Sequence, residues 1–86
     1  MVDRSYNIKR KDEVEYYLWQ VLDTEMSQND TVTVGEFLST TAILIDTLVR
    51  KDTGVELTSS IANNVITMTS AGTNLKVVIF AFGVKA

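Results

Sequence analysis

The carboxylates Asp23, Glu25 and Asp30 are the candidates in this 86-residue chain for acid–base work or cation binding. Along a strand, period two puts Asp23 and Glu25 on one face. Two acids meeting in a cleft can divide general-acid and general-base work. Three oxygen donors also approach what a hard cation such as Ca²⁺ takes. The spacing fits no calcium-loop pattern, however, and both acids border the polar stretch Ser27-Gln28-Asn29-Asp30. A solvated rim is therefore the expected role. The chain has no histidine and no cysteine, which removes the commonest general base, the thiolate nucleophile and the usual zinc ligands. Its serines and threonines lack a histidine to activate them, and its glycines are isolated rather than gathered into a phosphate-cradling loop. No catalytic residue, metal site or cofactor is expected, and the chain reads as non-enzymatic.

The elements that must position these groups are short and β-rich. Val, Ile and Thr make up about a third of the residues, and there is no proline. Three turn signals divide the second half: Lys51-Asp52-Thr53-Gly54, Asn63-Asn64 and Ala71-Gly72-Thr73-Asn74. Gly and Asn supply the positive φ that tight turns require. Between them lie strands at Val55–Ile61, Val65–Ser70 and Leu75–Phe82, the regular spacing of an all-β domain. In the first half, strands are expected at 14–24, 31–34 and 42–50. Val14, Tyr17, Leu18, Val21 and Leu22 also fit a helical stripe, and Thr33 with Glu36 fits a helix capping box. The β-branched and aromatic content weighs against both. The expected fold is all-β: a small antiparallel β-sandwich or barrel of about six strands, with residues 1–12 as an extended N-terminal arm on a single domain of residues 13–86. The alternative is an α+β fold with a helix near 14–26. The arm is polar and charged, without periodicity, and is expected to order against a partner.

Three features bear on partners. First, 45% of the residues are apolar in a chain too short to hide them all, which points to coverage by further chains. Second, the final strand is apolar on both faces. Leu75, Val77, Ile79 and Ala81 point one way; Val78, Phe80 and Phe82 point the other. Such a strand is central, or is covered from outside its own sheet. Third, Tyr17 and Trp19 share a face opposite Tyr16, as core or as interface anchors. The candidate interface residues are thus Tyr17, Trp19, Val78, Phe80 and Phe82, together with the basic run Lys9, Arg10 and Lys11. The net charge is −3, and no base occurs between Tyr16 and Val49. That argues against a nucleic-acid partner. The acids from Asp23 to Asp46 are expected to face solvent. No apolar run approaches the ~20 residues of a membrane helix, and the polar start MVDRSYNIKRKDE carries no secretory signal, so no membrane partner is expected.

The stretch from Thr31 onward, VTVGEFLSTT followed by KDTGVELTSSIANNVITMTSAGTNLKVVIFAFG, resembles small virion structural proteins of tailed bacteriophages. The likeness lies in an Asp/Gly turn, a Thr-rich hairpin and a last strand ending Val-Val-x-x-Ala-x-Gly, over about two thirds of the chain. It implies a capsid decoration or cement subunit, or a neck or tail component, located in the virion. The implied partners are copies of itself, as a homo-oligomer expected to be a trimer, and other virion proteins such as the major capsid protein. A receptor- or glycan-binding β-module of a phage tail is the alternative, and would need Trp19 and Tyr17 exposed.

Overall fold

The computed structural model describes residues 1–35 and 43–84. They form eight strands: β1 (Asn7–Val14), β2 (Tyr17–Met26), β3 (Thr31–Thr33), β4 (Ile43–Arg50), β5 (Glu56–Leu57), β6 (Ser59–Ala62), β7 (Val65–Met68) and β8 (Leu75–Val84). β1-β2-β8-β4-β5 make a five-stranded sheet and β3-β7-β6 a three-stranded one. All strand pairings are antiparallel, and the two sheets pack together without closing a barrel. The fold is all-β as the composition required, and the helix near 14–26 is excluded by β2. Glu36 of the supposed capping box, and Ala42 at the head of the expected 42–50 strand, lie outside the described residues.

β8 is the middle strand of its sheet, paired over its whole length with β2 and from Val77 to Gly83 with β4. Its inward set is Val77, Ile79 and Ala81, all fully buried. From β2 come Leu18, Leu22 and Met26, and from β4 Ile43 and Leu48. The small sheet closes over them with Val32, Ile66 and Met68. Side chains of two apposed sheet faces interdigitate in this way in sandwiches.

Two breaks, one in each half of the chain, escaped the sequence reading. The expected 14–24 strand contains a two-residue hairpin, Glu15–Tyr16, which joins β1 to β2. Neither residue is a usual turn former, and Glu15 takes a positive φ of 51° there. The expected Val55–Ile61 strand breaks at Thr58, so that β5 belongs to one sheet and β6 to the other. Hydroxyls hold this corner. The Ser70 Oγ accepts from the Thr58 N–H at 2.8 Å, and Thr69 Oγ1 donates to Thr58 Oγ1 at 2.8 Å. The turns read from Gly and Asn stand: Gly54 has φ 73° and Asn63 φ 54°.

Residues 1–12 are extended but do not form a separate arm. Asn7–Asp12 lie within β1, whose hairpin pairing to β2 gives them a partner inside the chain. Upstream, Arg4 N donates to Thr31 O and Thr31 N to Val2 O, both at 2.8 Å. A boundary at 12/13 would cut a strand.

Asp30 ties these segments together and corrects the expectation that the acids from Asp23 to Asp46 all face solvent, because it is buried. Its carboxylate accepts from Arg4 Nε at 2.6 Å, from Ser27 N at 2.8 Å and from Val2 N at 3.2 Å. Arg4 Nη2 continues to Asn74 Oδ1 at 3.1 Å. One knot thus joins the N-terminal segment, the β2–β3 loop and the β7–β8 turn. Burial works against the Asp30 charge, but the Ser27 N–H and the Arg4 guanidinium outweigh it and hold the carboxyl below its ordinary value of 3.8. Asp46 is half-buried and accepts from Ser59 Oγ at 2.5 Å, bridging the two sheets.

Gln20 is the opposite case. It is fully buried on the inner face of β2, and neither side-chain polar atom finds a partner. A buried amide without hydrogen bonds costs free energy that a thioether of similar length does not. Gln20→Met is therefore expected to raise stability by about 1 kcal/mol, measured by urea denaturation. Asp30→Ala is expected to lower it by about 2 kcal/mol, as removal of a charged hydrogen-bond acceptor does. Because the folded pKa of Asp30 lies below the ordinary one, its contribution is complete above pH 3.8 and is lost as pH falls through the folded value. Melting temperature should drop in that acid range for the wild type. It should drop less for Asp30→Ala, in scans against pH.

Candidate functional site: the outer face of the large sheet

Alternation sends every second residue of β2, β8 and β4 away from the small sheet. The register then stacks them in rows. Trp19 lies opposite Phe82, which lies opposite Ile45. Val21, Phe80 and Thr47 make the next row, and Asp23, Val78 and Val49 the one after. A bulge between Ile43 and Ile45 inserts Leu44. The extra residue turns both Leu44 and Ile45 outward, each 53% exposed. Tyr17 stacks on Phe82 with ring centroids 5.3 Å apart, and Trp19 tilts against the same ring at 5.0 Å. Tyr17, Trp19 and Phe80 are 42%, 45% and 40% exposed. Aromatic side chains of ~200 Å² each then leave roughly 250 Å² in water. Leu44, Ile45 and the half-covered Phe82, Val21, Val49 and Val78 extend the patch to about 600 Å², the upper end for a monomer's largest apolar patch.

The small sheet shows what an outer face made for water looks like. There Thr31, Thr67 and Ser60 form one row, and Thr33, Val65 and Ala62 the next. Hydroxyls dominate one outer face of the molecule and aromatic rings the other.

Five of the sequence candidates, Tyr17, Trp19, Val78, Phe80 and Phe82, fall together on this aromatic face. The basic run divides. Arg10 lies opposite Val21 and pairs with Asp12 at 2.9 Å. Lys9 reaches the outward Asp23 at 3.9 Å. Both border the patch on its β1 side. Lys11 lies opposite Gln20 and so belongs to the other side of the sheet, with Glu13 at 3.7 Å. Leu44, Ile45 and Val49 were missed. The only signal for Leu44 is a bulge, and a bulge is set by pairing, not by composition.

The carboxylates do not assemble into a reactive site. Asp23 and Glu25 do share a face, as period two predicts, and line a shallow depression of about 430 Å³ with Arg4, Ser5, Asn7, Thr24, Lys51 and Lys76. Asp23 is held there by Lys51 at 3.1 Å. Glu25 lies opposite Lys76 across the strand pair, and Asp30 is committed to Arg4. Among the described residues no group of three acids could hold a metal ion, and no helix is long and apolar enough to cross a membrane. The depression is an ion-paired rim at the polar end of the sheet.

Compared with protein-family models, with curated proteins and with solved structures, the chain matches none.

The outward rings contribute little to the core, so Trp19→Ser and Phe80→Ser are expected to keep the β-sheet circular dichroism and to change stability by less than about 1 kcal/mol. Val77→Ala, on the inward face of β8, is expected to cost about 2 kcal/mol or more. Parallel urea titrations of the three variants check the assignment of faces.

Proposed function

We propose that this chain is a non-enzymatic structural protein of a phage particle, a capsid decoration or cement subunit that acts through oligomeric contacts. The observation that carries this reading is the aromatic outer face of the five-stranded sheet. Exposed patches of this size and chemistry are protein–protein surfaces far more often than sites of reaction. The phage context rests on the pattern shared by residues 31–83 with small virion proteins. The partners on this reading are copies of the chain and the major capsid protein, and its place is the virion. Contacts that are individually weak become strong when an oligomer engages several neighbouring subunits, a gain of ~10²–10⁴-fold over one contact.

A second reading is favoured by the exposure of Tyr17 and Trp19 specifically. Adjacent half-exposed rings also suit a receptor- or glycan-binding module of a phage tail.

Particles assembled without the protein decide between the two. On the decoration reading they assemble, rupture at lower temperature than complete particles, and regain resistance when the wild-type chain is added but not when Phe80→Asp is added. Normal thermal resistance with defective attachment to cells overturns decoration in favour of receptor binding.

A further inference from the structure

We infer that the aromatic outer face seats a second copy of this chain, face to face, about a two-fold axis running along β8. The inference rests on the reading of that face as a docking surface and names its occupant.

Edge pairing is hindered along β1 and at β5 of this sheet. β1 carries charge at every position from Lys9 to Glu13 and is kinked by a bulge between Ile8 and Arg10. β5, at the opposite edge, is two residues long. Charged, bulged and very short edge strands are devices that prevent strand addition. What remains for association is the face. At about 600 Å² of apolar surface per copy, plus its polar border, a face-to-face pair buries roughly 1,200 Å² or more, the lower bound for a specific stable interface.

Symmetry and charge select a second copy. β8 is the third of five strands, so a two-fold axis along it lays β2 of one copy over β4 of the other and β1 over β5. The rings of Tyr17 and Trp19 then meet Leu44 and Ile45, aromatic on aliphatic, and Phe80 meets its own mate near the axis. Strands of the two sheets stay roughly aligned, the usual geometry of sheet-on-sheet packing at about 10 Å. On the border, the β1 edge presents Lys9 and Arg10, whose acids within the chain are Asp23 at 3.9 Å and Asp12 at 2.9 Å. Glu56 of β5 lies opposite the outward-facing Val49, and so presents an acid on the β5 edge. The operation brings Lys9 and Arg10 of one copy to Glu56 of the other, twice per pair. An isologous contact of this kind closes at two copies. The trimer implied by the phage resemblance would need a further surface.

Sedimentation equilibrium of the full chain at up to about 100 µM tests this, a range that resolves micromolar affinity. The expected species is a dimer. Phe80→Asp and Trp19→Ser should each weaken it, Phe80→Asp by about 100-fold or more, with circular dichroism unchanged. If Phe80→Asp fails to fold, the charge series decides. Glu56→Lys alone should weaken the dimer, and adding Lys9→Glu and Arg10→Glu should restore it. A wild-type chain that stays monomeric, a trimer, or a dimer indifferent to Trp19→Ser and to the charge reversal overturns the inference. The particle-heating experiment fails or succeeds separately. Weakened particles with a monomeric chain leave decoration standing and assign the face to another virion protein. A dimer with fully resistant particles does the reverse.

Discussion

One strand that is apolar on both faces, placed at the centre of a five-stranded sheet, sets the terms for the rest of this molecule. β8 offers Val77, Ile79 and Ala81 to one side and Val78, Phe80 and Phe82 to the other. A three-stranded sheet can cover only one of those sides. β3, β7 and β6 do so, and the residues beneath them are excluded from water almost completely. The second side has no counterpart among the described residues. The partition into a core face and an aromatic face follows from period two once β2 and β4 flank β8 in register.

Polar interactions bring the covering sheet to its place. Asp30 gathers Val2, Arg4 and Ser27, and Arg4 extends the contact to Asn74, so that a single buried carboxylate fixes how the chain leaves β2 for the small sheet and returns to β8. Ser59 and Asp46 join the sheets directly, and the Thr58, Thr69 and Ser70 hydroxyls hold the corner where the chain crosses between them. Gln20 departs from this pattern of satisfied polar groups, sitting in the core with both amide atoms unpaired.

The functional consequence lies in the contrast of the two outer faces. Threonine and serine line the outside of the small sheet, where water suffices. Tyrosine, tryptophan and phenylalanine line the outside of the large one, while charge and brevity blunt its edges. The association proposed above uses this face, and the blunted edges oppose strand-by-strand aggregation. Of the carboxylates that first suggested chemistry, Asp23 is engaged by lysine and Asp30 by arginine.

The sequence by itself determined the all-β class, the β6–β7 hairpin at Asn63-Asn64, the turn at Gly54, the two faces of β8 and the aromatic members of the candidate site. Each is a local property: side-chain alternation is intrinsic to an extended backbone, and Gly and Asn mark positive φ wherever they stand. Only the tertiary structure decided the rest. The Glu15–Tyr16 hairpin has no turn-forming residue and exists because β1 can pair with β2. Thr58 reads as mid-strand, and becomes a corner because β5 and β6 find partners in different sheets. Leu44 joins the aromatic face because β4 bulges against β8. Asp30 reads as a loop acid, and becomes the buried tie because Arg4, 26 residues away, closes on it. Pairing between distant segments fixes all four, and no window of residues contains it.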